Sequence, residues 1–170
     1  DTYRYLGEEI SKDGKSQKYI VERAGKVTGA VRAIMTCAKS GVMKRIETQV
    51  LLRLNASVII PTLLYNAEIW ILTKVERNTI DKIAIWAWKQ MLGLPTTTPS
   101  SAVVIATGSM YASIQVDTKQ LLYLHKLLQK EEGHWAKEVL LILNKKNGAW
   151  TKRINELLEF WDIETEWTEI

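Results

Sequence analysis

Apolar residues recur at helical spacing along most of the chain. Over residues 17–39, Ile20, Ala24, Val27, Ala30, Val31, Ile34, Met35 and Ala38 fall within an arc of about 140° when each residue is stepped by 100°. This predicts a first helix with one buried face, stopped near Gly41. A second helix is expected over 43–57, on Ile46, Val50, Leu54 and Val58. Pro61 then either breaks its ladder or opens a new segment. "TLLYNAEIW" is expected to continue as helix. A third helix is read from Val75 to before Gly93, with the stripe Ile80, Ile83, Ala84, Ala87 and Met91.

"LGLPTTTPSSA" is the clearest loop, rich in Thr, Ser and Pro. Ser100 or Ser101 is the expected N-cap of a short helix stopped by Gly108. Further helices are read over 113–132, 134–146 and 149–161, and an acidic tail from Ile163 is expected to fray. The front of the chain departs from this pattern. "YRYLGEEISKDGK" is strand-like and closes on the Asp13-Gly14 turn signal. The expected fold is mainly α, a helical bundle with a short β-hairpin or strand element at the N-terminus and further helices after it.

Composition narrows the classes. A chain of 170 residues, 46% hydrophobic and 25% charged, can bury a real core. No apolar run approaches the roughly 20 residues that span a bilayer. Cys37 is the single cysteine, so a disulfide framework is excluded, and its setting predicts a small buried hydrophobe. The net charge of +4 is uneven: residues 1–53 hold 11 Lys and Arg against 6 Asp and Glu. That asymmetry points to a polyanionic partner for the front of the chain.

Chemistry-bearing motifs are sparse. His125 and His134 have no Cys or carboxylate at ligand spacing, which argues against a metal. No phosphate-cradling Gly loop and no nucleophile elbow occurs. No adjacent Asp-Asp pair occurs and no acidic cluster is embedded in a strand–turn–strand, as two-metal phosphoryl transfer needs, so the chain alone is expected to catalyse nothing. The polar face of the first helix carries Lys18, Gly25, Lys26, Gly29, Arg32, Thr36 and Lys39, with Glu22 its lone acid. It reads either as a solvated surface or as a nucleic-acid face. Its glycines each cost a helix about 1 kcal/mol against Ala, which asks for a reason: close approach of a phosphate backbone, or of another helix. Trp86 lies off the apolar stripe beside Lys82 and Lys89, which suits a protein interface, base stacking or simple partial burial. Glu68, between Ala67 and Ile69, is read as structural.

The stretches "YRYLGEEISKDGK", "LLYNAEIW", "WKQMLGLPTTTPSSAV" and "LLYLHKLLQ", in that order, resemble the C-terminal third of non-LTR (LINE-type) retrotransposon reverse transcriptases. The family pattern at the second stretch is Leu-Tyr-Gly-x-Glu-x-Trp. Leu64, Tyr65, Glu68 and Trp70 match it, and Asn66 stands in the Gly position. By this resemblance residues 1–16 are a primer-grip-like strand element, with Tyr5, Leu6 and Gly7 at the primer end. Residues 17–95 are a thumb-like bundle and residues 96–170 a connector.

The resemblance implies an RNA template and cDNA primer duplex as partner, met by Tyr5, Leu6, Gly7, Lys15, Lys18, Lys26, Gly29, Arg32 and Lys39. Tyr65, Glu68, Trp70 and Trp86 would be structural or face the remaining reverse transcriptase domains. No cofactor is expected in this chain; Mg²⁺ would belong to the full-length enzyme, whose palm carboxylates lie elsewhere. The chain reads as a piece of a larger polyprotein, intracellular, in nucleus or cytoplasm, with no membrane partner. The competing expectation is a helical protein-interaction module, with which a homo-oligomer is compatible.

Overall fold

The computed structural model describes residues 2–5, 8–11, 17–39 and 47–164. The chain is mainly α. Strands β1 (Thr2–Tyr5) and β2 (Glu8–Ser11) pair antiparallel, Thr2 opposite Ser11 and Tyr5 opposite Glu8. The side chains of Tyr3 and Tyr5, and the whole of Leu6, lie outside the described residues. The helices are α1 (Gln17–Lys39), α2 (Thr48–Leu54), α3 (Ile60–Leu63), α4 (Lys74–Met91), α5 (Ser100–Thr107), α6 (Ala112–Leu128), α7 (Trp135–Lys145) and α8 (Ala149–Phe160). They fall into two compact units. One holds residues 1–65 and 72–113; the other holds 66–71 and 114–170.

In the first unit α1 packs on α3 and α4, and α4 on α5. Ile20, Val27 and Val31 of α1, Leu63 of α3, Ile80, Ala84, Ala87 and Trp88 of α4, and Val103 of α5 are all buried. α2 runs into α3 through a π-helical turn, Asn55–Ile59. There the Ile60 N–H reaches back to the Asn55 carbonyl, five residues earlier. The wider turn lets the chain carry Pro61 without a break, since the Pro ring would clash in a regular ladder. α4 opens with a capping box. Thr73 Oγ1 accepts from the Glu76 N–H at 3.3 Å, and Glu76 Oε2 accepts from the Thr73 N–H at 2.7 Å. It closes on Gly93 at φ 65, with the Leu94 N–H on the Lys89 carbonyl at 2.8 Å, a Schellman end.

The second unit has its own core of Leu124, Leu140, Ile154, Leu157 and Leu158, against which Leu121, Leu127, Leu128, Leu141 and Trp150 pack. His134 is the N-cap of α7, its Nδ1 accepting from the Ala136 N–H at 3.2 Å. Asn147 at φ 51 and Asp162 at φ 52 close α7 and α8 with the same Schellman bonds, made by Gly148 and Ile163.

Several expectations need correction. "TLLYNAEIW" does not continue as helix. α3 ends at Leu63, Asn66 turns left-handed at φ 57, ψ 23, a 3₁₀ turn spans Ala67–Ile69, and Trp70 is extended. The short apolar run has a helical look, but Asn readily takes this left-handed conformation, and one such residue ends a helix. Residue 99, not Ser100 or Ser101, caps α5: Pro99 sits extended and its carbonyl accepts the Val103 N–H. α6 stops at Leu128, four residues short of expectation, because residues 129–132 are polar and exposed and bring nothing to the core. Cys37 is exposed, lying with Ala33 and Thr36 on the solvent side of α1.

Asn66→Gly is expected to keep or slightly raise stability, whereas Asn66→Ala should lower it by about 1 kcal/mol, because Ala has neither the freedom of Gly nor the local bonding of Asn in this region. Urea unfolding of the three proteins checks this; equal midpoints would show that residue 66 is not held left-handed.

Candidate nucleic-acid interface

α1 presents two faces of opposite character. Buried on one side are Ile20, Arg23, Val27 and Val31. Exposed on the other are Glu22, Gly25, Lys26, Gly29, Arg32 and Thr36. The 3.6-residue period separates them without exception at these positions. Lys26 Nζ lies 2.7 Å from Glu22 Oε1, an exposed pair one turn apart. Such a pair contributes little to stability but partly offsets the Lys26 charge.

Among the described residues nothing packs against the two glycines. A Cβ built on Gly25 or on Gly29 meets nothing within 4 Å. Of the two reasons weighed for them, a neighbouring helix is thereby removed among the described residues. What is left is a flat, open strip of backbone flanked by Lys26 and Arg32.

The other anticipated site residues separate into groups. Lys18 and Lys39 lie within α1, and Tyr5 within β1, with side chains outside the described residues; Leu6, Gly7 and Lys15 lie outside them altogether. Tyr65 sits in the turn after α3, with the Arg23 guanidinium 4.6 Å from its ring centroid. Trp70 is buried, and its carbonyl accepts from Gln120 Nε2. The Glu68 carbonyl accepts from Trp150 Nε1 at 2.8 Å. Glu68 and Trp70 thus act through their backbones within the second unit. Trp86 is half-buried rather than exposed, with Lys82 and Lys89 beside it in a small recess.

Sequence reasoning missed Arg23. It counts as a cation of the front third, yet it is 6% exposed and lies under an aromatic ring. Its angular position among the apolar residues of α1 was the available signal. Among the described residues no three His, Cys, Asp or Glu side chains gather as a metal site. These residues therefore offer no carboxylate cluster for Mg²⁺. Among them, too, no helix is long and apolar enough to cross a membrane.

Comparison with protein-family models, with curated proteins and with solved structures finds no match in any of the three.

Arg23→Ala is expected to cost about 1–2 kcal/mol, because the Tyr65 ring loses its cation and the arginine stem its packing. It should leave the salt dependence of any nucleic-acid binding unchanged, because the side chain faces inward. Denaturant unfolding and a salt titration together test this. A stable variant with an altered salt slope would place Arg23 in the interface instead.

Proposed function

We propose that this chain is the thumb and connector of a non-LTR retroelement reverse transcriptase, a non-catalytic piece that grips a template–primer duplex through its backbone. The observation that carries the reading is the open face of α1. Arg32 and Lys26 supply positive charge beside Gly25 and Gly29, where an added Cβ would meet no atom of the described residues within 4 Å. Phosphate contacts of this kind give affinity and register without sequence preference. The strand pair before α1 takes the primer-grip role, with Tyr5, Leu6 and Gly7 at the primer's 3′ end. In this reading Lys15, Lys18 and Lys39 also meet the duplex. A further agreement supports the family reading. Asn66 adopts φ 57, the conformation for which the family pattern's glycine is suited. Mg²⁺ and polymerisation would belong to the remaining domains.

A second reading has its own support in the other unit. An apolar recess of about 300 Å³ is lined by Tyr123, Leu127, Trp135, Val139, Leu143 and Trp150. Trp135 is 74% exposed, and Val139, Ile142 and Leu143 follow it on α7, also exposed. Such a surface suits a protein partner, either the remaining reverse transcriptase domains or a further copy of the chain. Light scattering over a concentration series addresses the copy. A mass that rises with concentration, with no duplex binding, supports the interaction module over the clamp.

The clamp makes two demands of α1. Lys26→Gln with Arg32→Gln should weaken duplex binding and flatten its log–log salt slope by about 1.8, near 0.9 for each phosphate no longer neutralised. Gly25→Ala with Gly29→Ala should stabilise the fold by about 1–2 kcal/mol, since no neighbour opposes the new methyl groups. The same glycine variant should bind duplex less well, because the methyl groups hold the phosphates off. Filter binding at two salt concentrations and urea unfolding read both. A stabilised glycine variant with undiminished affinity, or an unchanged slope in the lysine–arginine variant, would remove α1 from the interface.

A further inference from the structure

The first unit carries a second feature that the α1 face does not explain. A recess of about 130 Å³ is lined by Lys82, Trp86, Lys89, Gln90, Thr96 and Ser100 together with Ile85. It lies between α4 and the start of α5. Ligand sites for whole drug-sized molecules occupy roughly 300–1,000 Å³, so this one fits a single ring or a single phosphate group.

Its lining is charged in one sense only. Lys82 and Lys89 contribute ammonium groups, and among the described residues no carboxylate lines the recess. The nearest acid in sequence, Asp81, is engaged elsewhere. Its Oδ1 accepts from the Ser113 N–H and its Oδ2 from the Ser113 hydroxyl, each at 2.8 Å. Lys89 Nζ donates to the Thr96 carbonyl at 2.8 Å, which fixes the ammonium against the loop. An ammonium has three donors, so that bond leaves others for an anion. α5 begins at Ser100 with no side-chain cap and no acid in its first turn. The first N–H groups of a helix have no partner within it, and its dipole is positive there. Trp86 adds an aromatic ring to the same lining.

We propose that this recess anchors one unstacked nucleotide of a single-stranded nucleic acid, one group of it seated inside and the rest outside, with the base against the Trp86 ring and the phosphate toward Lys82, Lys89 and the start of α5. Ring stacking tolerates any base, and the cations meet only the backbone, so the contact is independent of sequence. A duplex keeps its bases stacked inside and offers the Trp ring nothing. The site therefore serves single strands and does not depend on the α1 face, which serves duplex.

The test uses the whole chain, a fluorescently labelled thymidine hexanucleotide, and a labelled blunt duplex, read by anisotropy. Trp86→Leu should weaken hexanucleotide binding by about tenfold or more. Trp86→Phe, which keeps an aromatic face, should retain most of the affinity. Lys82→Gln, at an exposed position, should weaken binding and lower the single-strand salt slope by about 0.7. Duplex affinity should be unchanged in all three. Lys89 is left in place because it also holds the loop. Should Trp86→Leu fail to fold, the Phe and Gln variants carry the test. Hexanucleotide affinity indifferent to Trp86 and Lys82, or absent in the parent chain, overturns the site and leaves the recess to a protein partner. Equal losses for hexanucleotide and duplex overturn it as well. Loss of duplex binding in the α1 variants with hexanucleotide binding intact separates the two surfaces.

Discussion

The carbonyls of Glu68 and Trp70 lie in a segment that is no longer α-helical, and side chains of α6 and α8 in the second unit supply them with donors. Gln120 Nε2 from α6 meets the Trp70 carbonyl, and Trp150 Nε1 from α8 meets that of Glu68. A buried carbonyl left unmet costs about 1–3 kcal/mol, so these two bonds fix where α6 and α8 can lie against the 66–71 segment. Gln120 is 1% exposed for this purpose, a polar side chain in a leucine-rich helix. Trp150 also packs edge-on to Tyr123, with ring centroids 6.0 Å apart, and lies against the leucine core. One short irregular stretch of backbone thus selects two side chains, and those side chains set the spacing of the helices that carry them.

Much of the helical layout could be read from periodicity. α1, α4, α7 and α8 fall within about one residue of the ranges expected, because each has a continuous apolar stripe and a stop residue such as Gly93 or the Asn147-Gly148 pair. Three of the departures share a cause. Asn66, Pro99 and the π-helical turn before Pro61 are places where backbone conformation, not side-chain polarity, decides the path. A hydrophobic pattern carries no record of a left-handed residue or of a bond reaching five residues back. The capping box at Thr73 and Glu76 is visible in the letters "TKVE", although apolar spacing alone starts the helix at Val75.

The candidate surfaces were legible to a different degree. The sequence separates a polar from an apolar side of α1, and the structure keeps that division for Lys26, Gly29 and Arg32. It cannot say what lies opposite a glycine, since packing neighbours come from distant residues. Only the folded chain reveals that none of the described residues stands over Gly25 and Gly29. Trp86 is the reverse case. Its two lysines are near in sequence, but Thr96 and Ser100 reach it only because the Schellman end of α4 folds the loop back. The Glu68 and Trp70 carbonyls were invisible for the same reason: their donors lie far along the chain, on α8 and α6.

Charge counting also changes meaning once the residues are in place. The front third holds 11 Lys and Arg, yet they are not equivalent. Arg23 is inside, its charge set against the Tyr65 ring, and Lys26 shares its charge with Glu22. Neither contributes a full free cation to a distant anion. Arg32 differs, being exposed on the same side as the open glycines. Attraction to a polyanion falls off within about 8–10 Å at physiological salt, so the position of a cation matters more than its membership in a total. A surplus of positive charge draws nucleic acid to a region. Which few charges it meets there is settled by the period of α1, by which positions the core takes, and by which glycines are left with nothing above them.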